Sequence, residues 1–221
     1  MTKRLTPKGE TSRQSIIQSA YQIFLEKDYH AASIRDISQR CGLTIGGVYA
    51  HFNGKEDIFI EVLKAYHPFR QVIPAIASAR GETSQELVHA MAQAMLAALG
   101  SQREALNLLF IEVVEFQGRH FALIFPEVFP SLGSAMSGMF QPGAHLRPIS
   151  RPTLIRSFFG YYFSYFMTNV IFRDQLPNDD EALREFTDIY LNGILARDGA
   201  PAAQEESQPS QPDNVYPKET S

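Results

Sequence analysis

Apolar residues recur at helical spacing along most of the chain, whereas alternating, strand-like runs are few. The first apolar stripe follows a capping box that starts at Thr11, and it predicts a helix ending near Lys27. Two short helices come next, the first with Ser33 as its N-cap and the second with Thr44. Gly42 lies between them, where a tight exit from the first helix needs a left-handed residue. The pattern predicts an all-α protein.

Longer helices are predicted in the rest of the chain, from 53 towards 68 and over 83–99, 101–116, 150–173 and 179–197. Asn53 and Ser101 are expected to cap two of them. Residues 74–81 are expected to be loose, and the prolines and glycines within 118–149 predict an interrupted helix and a loop. From Gly199 onward the chain is rich in Pro, Gln, Glu and Ser, which predicts a disordered tail.

The two short, capped helices and the turn between them predict a DNA-binding helix-turn-helix, in which the second helix enters the major groove. Tyr49, His51 and Lys55 carry hydrogen-bond donors suited to phosphate oxygens. Gly46 and Gly47 each cost about 1 kcal/mol of helix propensity relative to Ala, which a close approach to the DNA backbone would explain. A plain helical hairpin with a weak second helix is the alternative. The candidate DNA contacts are Ser33, Arg35, Thr44, Ile45, Gly46, Gly47, Tyr49, His51 and Lys55.

The charge is unevenly distributed along the chain. Residues 1–55 contain eight Lys or Arg and four Asp or Glu, a net charge of +4, while the whole chain has a net charge of −4. A basic N-terminal region on an acidic remainder suggests that this region alone meets double-stranded DNA, although four charges can also cluster by chance. The single Cys excludes an internal disulfide and a Cys-based zinc site, which fits a reducing compartment.

Residues 11–59 resemble the DNA-binding domain of the TetR family of transcriptional regulators. The positions that carry the resemblance are Thr11, Ile16, Ala20, Phe24, Tyr29, Ile34, Ile37, Cys41, Gly42, Leu43, Thr44, Gly46, Val48, Tyr49, His51, Phe52, Lys55 and Glu56. Asp28 departs from the family pattern, in which Gly is usual, and Ser38 and Cys41 stand where Ala is common; these changes are expected to be tolerated. Ile45 and Ala50 stand where the family often has a polar residue. Base readout is therefore expected to rely on thymine methyl groups and DNA shape.

The resemblance implies a helical C-terminal domain that dimerises through its last two helices. The helix over 151–173 is apolar nearly all round, so it must be covered on two sides. A transmembrane span is the competing interpretation, but five polar residues including Arg156 interrupt the segment. The candidate residues of the homodimer interface are Phe159, Phe163, Ile171, Phe186, Tyr190 and Ile194.

The resemblance also implies a small-molecule pocket inside the C-terminal domain. The alternative is that the same aromatic and Met side chains form a solid core. Since the set offers only Tyr hydroxyls and one His, the effector is expected to be apolar or aromatic, and its identity cannot be deduced. The candidate pocket residues are Phe110, Phe116, His120, Phe121, Met136, Met139, Phe140, Tyr162 and Phe166.

Catalytic and metal-binding patterns are missing from the sequence. Glu86 and His89 form one Glu-x-x-His pair, but a di-iron site needs two such pairs. Glu112 and Glu115 are interpreted as a solvated or capped helix face. The His residues lack ligand spacing, so we expect no enzyme activity, no metal and no cofactor.

These features combine into one interpretation of the chain. We expect a helix-turn-helix domain over 1–54, a helical ligand-binding and dimerisation domain over 55–198, and a tail over 199–221. The polar N-terminus lacks a secretory signal, which predicts a cytoplasmic protein without a membrane partner. The resemblance implies a repressor that leaves a pseudo-palindromic operator when its effector binds.

Overall fold

The computed structural model describes residues 6–140, 146–172 and 175–194, except for the side chains of Glu127 and Ile194. Within these ranges the chain is helical and has no β-strand, which confirms the predicted all-α class. The helices are α1 (Pro7–Ala31), α2 (Ile34–Cys41), α3 (Ile45–Tyr49), α4 (Lys55–Tyr66), α5 (Phe69–Ser78), α6 (Ser84–Ser101), α7 (Arg103–Phe116), α8 (Phe121–Ala135), a 3-10 helix (Ser137–Phe140), α9 (Arg151–Phe172) and α10 (Asp180–Ile194). The predicted tail over 199–221 lies outside the described residues. We call α1–α4 the head and α5–α10 the body.

Local capping signals determine the helix-turn-helix of the head. The Ser33 hydroxyl accepts from the Asp36 backbone N–H, and the Asp36 carboxylate accepts from the Ser33 N–H in return, so α2 begins with a complete capping box. The Thr44 hydroxyl accepts from the Gly47 N–H at 3.0 Å and caps α3. Gly42 ends α2 with a φ of 70°, in the left-handed region. All three predicted signals are confirmed.

The first helix differs from its prediction at both ends. It begins at Pro7, because the Thr6 hydroxyl caps it by accepting from the Gly9 N–H at 3.2 Å. The predicted cap at Thr11 is wrong, since the Thr11 hydroxyl donates to the Pro7 carbonyl at 3.0 Å inside the helix. Regular geometry stops at Asp28, which has φ 61° and ψ 176°, so the predicted end near Lys27 marks a sharp kink.

We expect Asp28→Gly to raise the free energy of unfolding by about 1 kcal/mol, because a backbone with this φ and ψ is costly for a residue with a Cβ. Loss of the hydrogen bond from the Ala31 N–H to Asp28 Oδ1, 3.1 Å long, offsets part of the gain. Thermal denaturation should show a rise in Tm of about 2–4 °C. Asp28→Ala is the control, because it loses the same hydrogen bond and keeps the strain. Equal stability of the two variants would contradict the argument.

Several body helices differ from the predicted pattern because tertiary packing outweighs the helix-breaking tendency of their prolines. Helix α5 occupies part of the stretch that was expected to be loose, and it contains Pro74. Helix α8 runs unbroken through Pro126 and Pro130, where an interruption was expected. The predicted capping box at Ser101 is wrong, because α6 extends to this residue and its hydroxyl donates back to the Ala98 carbonyl at 2.8 Å. Helices α5 and α8 pack on each other and on the surrounding body, which stabilises both.

Buried apolar side chains of the head and body form one continuous core. Helix α4 begins at Lys55, where the boundary between the first two domains was predicted, but its buried side chains pack along α1 in the head. The division of the chain into domains remains a prediction. In the part of the chain that the structure describes, no helix is both long and apolar enough to cross a membrane.

Candidate functional site

The helix-turn-helix presents one unpartnered face. Val48 is fully buried against the head core, so α3 has a fixed orientation. Ile45 and Tyr49 lie on its other side and are 45% and 54% exposed. Ser33, Arg35, Thr44 and Gly46 are exposed beside them. We call these six exposed, predicted DNA contacts the recognition face.

The two glycines of α3 have different surroundings. A Cβ added at Gly46 would find no atom within 4 Å, so this residue offers bare main chain on the recognition face. A Cβ added at Gly47 would lie 3.3 Å from Thr44 Oγ1, the oxygen that caps the helix. Gly47 is half-buried. A side chain at this position would crowd the capping oxygen, so the cap accounts for the glycine without any DNA contact. His51 is also half-buried, and its Nδ1 has no hydrogen-bond partner within the described part of the chain.

Most cations of the head are neutralised by neighbouring carboxylates. Arg40 forms two hydrogen bonds with Glu26, and Lys27 donates to Asp36 at 2.6 Å. The hydrogen bonds from Lys27 and Ser33 lower the pKa of Asp36 to about 2. Arg13 pairs with Glu61. Among the described residues of the recognition face, Arg35 is a cation without an ion-pair partner, so its charge is available to a phosphate.

The structure gives Lys55 a different role from the predicted phosphate contact. Its ammonium donates to the carbonyls of Tyr29 at 2.7 Å and Ala32 at 2.8 Å, and lies 3.3 Å from that of His30. It also lies 4.4 Å from the centre of the Tyr29 ring. Burial lowers the pKa of Lys55 below its ordinary value. These contacts take all three ammonium hydrogens and close the end of α1, and a phosphate contact by Lys55 remains a prediction.

A cluster of ionisable and aromatic side chains joins the head to the body. His120 lies between two carboxylates, with Nδ1 2.9 Å from Glu112 Oε2 and Nε2 3.1 Å from Glu56 Oε1. The His120 backbone N–H donates to Glu112 Oε1 at 2.6 Å. Glu112 is fully buried, so the predicted solvated face is wrong for this residue. The imidazole can donate to both carboxylates only when both of its nitrogens are protonated.

Aromatic rings complete this contact. The Phe116 ring stacks on Phe59 at 5.0 Å and meets the edge of Tyr29 at 4.9 Å and of His120 at 4.6 Å. Burial raises the pKa of the Tyr29 hydroxyl to about 12, so the hydroxyl stays neutral. Glu115 pairs with His30 beside them. We call Tyr29, Glu56, Phe59, Glu112, Phe116 and His120 the head–body joint.

A cavity of about 620 Å³ lies in the body between α5, α6, α7, α8 and α9. Its size is within the range of small-molecule sites. Its inner wall includes Val72 and Met95, which are buried, and Phe110 and Phe125 stand exposed at its mouth. The cavity lining is apolar apart from Arg156, and it includes Phe121, the residue that follows His120.

Only two of the predicted pocket residues, Phe110 and Phe121, line this cavity. The others do not line it, because Phe116 and His120 belong to the head–body joint and the remaining five lie elsewhere in the core, so their part in a ligand site remains a prediction. Tyr162 is fully buried and donates to Thr187 Oγ1 at 3.0 Å. The other four are Met136, Met139, Phe140 and Phe166. Sequence periodicity could identify these residues as apolar, but it does not show which of them lie beside empty space.

The residues predicted for the dimer interface also lie in different environments. Phe159 and Phe163 face the cavity. Tyr190 is buried within the chain, its hydroxyl 3.1 Å from that of Ser157, and Phe186 packs 4.1 Å from the Tyr161 ring. Tyr190 is therefore an internal contact, whereas Phe159, Phe163 and Phe186 are half-buried and their place in a dimer interface remains a prediction. Ile171 is 64% exposed and remains available to a second subunit, while the side chain of Ile194 lies outside the described residues.

The residues considered as metal ligands have other partners. Glu86 completes the capping box of α6 with Thr83, and His89 Nε2 lies 3.0 Å from Asp180 Oδ1 in α10. Among the described residues, no group of three His, Cys, Asp or Glu side chains is placed to hold a metal ion.

Comparisons with known proteins find similarity over part of the chain. The family model for bacterial regulatory proteins of the tetR family matches residues 16–62. The chain is 37% identical over 71 residues to the HTH-type transcriptional regulator SrpR of Pseudomonas putida, a match covering 32% of each chain. It is 30% identical over 98 residues to the HTH-type transcriptional repressor BepR of Brucella suis, covering 44% of this chain and 46% of BepR. These matches span less than half of either relative.

Solved structures resemble the chain over most of its length. A protein of Mesorhizobium loti assigned to the TetR family superposes with a TM-score of 0.62 at 18% identity, covering 86% of this chain and 100% of that protein. The fatty acid degradation regulator FadR of Bacillus halodurans gives a TM-score of 0.61 at 18% identity, covering 86% and 97%. At these identities the likeness shows a shared fold.

Proposed function

Because this chain belongs to the TetR family of bacterial regulatory proteins by its head and its fold, we propose that it is a ligand-responsive transcriptional regulator. It binds a pseudo-palindromic DNA operator as a homodimer and acts as a repressor that a small apolar or aromatic molecule releases. The relatives that match part of the chain are transcriptional regulators, which supports the prediction that it has no catalytic activity. Its cytoplasmic location remains a prediction.

The observation that carries this proposal is the contact between Glu56 and His120, 3.1 Å long. Glu56 lies in the first turn of α4, the last helix of the head. His120 precedes Phe121, which lines the cavity. A ligand that displaces Phe121 therefore acts on the residue beside it, and through Glu56 on the head. Coupling of this kind typically changes the affinity for the second ligand by about 5- to 150-fold.

The recognition face supports the DNA part of the proposal. Arg35 offers a free cation to phosphate and Tyr49 a hydroxyl, while Ile45 and the bare main chain of Gly46 can approach the groove closely. In a DNA-bound dimer, two such faces lie about 34 to 36 Å apart, one turn of the duplex.

The exposed sides of the last two helices support the dimer. Ile171 in α9 and Ile189 in α10 are each 64% exposed, so both apolar side chains are available to a second subunit. A second copy that covers both would extend the core across the interface. Light scattering of the purified protein measures this directly, and a monomer at every concentration would contradict the dimer.

The experiment that tests DNA binding measures affinity for duplexes from upstream of the protein's own gene over a range of salt concentrations. Arg35→Ala is expected to weaken binding to all duplexes about equally and to flatten the salt dependence by about one unit per subunit. Arg40→Ala is the matched control, because Arg40 lies on the same helix but is already neutralised by Glu26. If no duplex binds at low salt, the proposal fails.

A further inference from the structure

The cavity in the body has one charged group at its edge. Arg156 of α9 is the only ionisable side chain among its lining residues, and it is exposed to solvent. Pro152 and Gly160, which lie one turn away on either side of it, also line the cavity. Arg156 therefore lies at the edge of the apolar cavity, with its side chain open to solvent.

Arg156 has no carboxylate partner among the described residues. Arg40 and Arg184, in contrast, are each held by a nearby acid, with Arg184 Nε 2.8 Å from Asp180 Oδ2. The part of the chain that follows Lys55 carries a net negative charge, since the first 55 residues have an excess of cations and the whole chain has −4. An unpaired cation at the mouth of an apolar cavity in an acidic body is complementary to an anion with an apolar body.

We propose that the cavity binds an anionic amphiphile, whose apolar part fills the chamber and whose single negative group pairs with Arg156. This inference rests on the proposed function, because it names the chemical class of the effector. The chamber of about 620 Å³ is large enough for a medium-length acyl chain or a fused ring system. An uncharged hydrocarbon would make the apolar contacts with the cavity lining but would leave the guanidinium without a counterion.

The depth of the cavity favours a small amphiphile over a protein surface. Its inner wall is formed by Val72, Met95 and Leu99, which are 1%, 2% and 4% exposed. A flat partner surface would cover Phe125 at the mouth and leave these inner residues facing an empty space, which costs dispersion contacts. A flexible chain can reach them.

Displacement of a neutral fluorescent probe, N-phenyl-1-naphthylamine, measures binding to the full-length protein. The chain has no Trp, so the probe signal is free of tryptophan fluorescence. We expect dodecanoate to displace the probe at about tenfold lower concentration than dodecan-1-ol, which has the same chain without the charge. Arg156→Gln should remove this preference by weakening dodecanoate alone, while Arg156→Lys should retain most of it. Arg151→Gln, a change of equal charge on the same helix outside the cavity lining, should leave the preference unchanged.

The outcomes separate the effector class from the proposed function. If dodecanoate and dodecan-1-ol displace the probe equally, and Arg156→Gln alters neither, the anionic class is wrong while a ligand-binding cavity stands. If the probe does not bind at all, both the anionic class and the proposed response to a ligand are wrong. If Phe125→Glu converts a dimer into a monomer by light scattering, the mouth is a subunit interface and the inference is overturned.

Discussion

Replacement of Ile45 by glutamate is expected to abolish binding to operator DNA while the fold stays intact. Ile45 is 45% exposed on the recognition face, so a carboxylate there remains hydrated in the free protein and costs little stability. Against DNA it meets phosphates of the same charge in each of two subunits, and like-charge contacts in an interface cost several kcal/mol. We therefore expect a loss of affinity of more than about 100-fold. Fluorescence anisotropy with a labelled duplex measures the change.

Val114→Glu is the matched control for this experiment. Val114 lies in α7 of the body and is 71% exposed, so the substitution adds the same charge to an exposed apolar position away from the recognition face. Both variants should unfold at nearly the wild-type temperature. If Val114→Glu weakened DNA binding as much as Ile45→Glu, net charge rather than the recognition face would explain the loss.

Replacement of Glu112 by alanine is expected to have the largest effect on stability. The fully buried carboxylate accepts from the His120 backbone N–H and contacts the His120 ring, and alanine leaves both groups without that partner. Breaking a buried pair by removing one partner typically costs about 3–5 kcal/mol. The Tm should fall by about 6 °C or more for a chain of this size.

Glu115→Ala tests whether burial of the carboxylate is the reason for the loss of stability expected of Glu112→Ala. Glu115 lies on the same helix, and its partner His30 has a side chain that is 75% exposed. Exposed ion pairs contribute about 1 kcal/mol or less, so this variant should lose little stability. If Glu112→Ala lost as little stability as Glu115→Ala, the structural role of the head–body joint would be contradicted. Glu112→Gln keeps the shape and one acceptor oxygen, and its stability should lie between those of Glu112→Ala and the wild type.

The joint shows why some functional residues escape sequence reasoning. Glu112 and Glu115 are three residues apart on one helix, and residue type alone does not show that one is buried and the other partly exposed. Residues 116 and 120 were assigned to a pocket because of their aromatic character. Their actual role depends on the head, whose Glu56 and Phe59 lie about 60 residues earlier in the chain. A polar residue inside an apolar stripe, as at Glu112, was the one available signal.

Several contacts within a few residues were predictable because they depend on local backbone geometry, although the caps expected at Thr11 and Ser101 lie inside longer helices. Ser33 and Thr44 cap their helices, and Gly42 has the expected left-handed backbone. Asp28 shows a local feature that the sequence did not reveal. Its departure from the usual Gly was visible in the sequence, but only the backbone angles show that it occupies a strained position.

The sequence by itself determined the helical class, the capped helix-turn-helix and the side of it that faces outward, since short-range hydrogen bonds and helical periodicity suffice for these. The tertiary structure decided which apolar side chains surround empty space and which carboxylate is buried. It also decided that three backbone carbonyls at the end of α1 hold the Lys55 ammonium. These features depend on how distant helices meet, and residue type along the chain does not specify the partner across that contact.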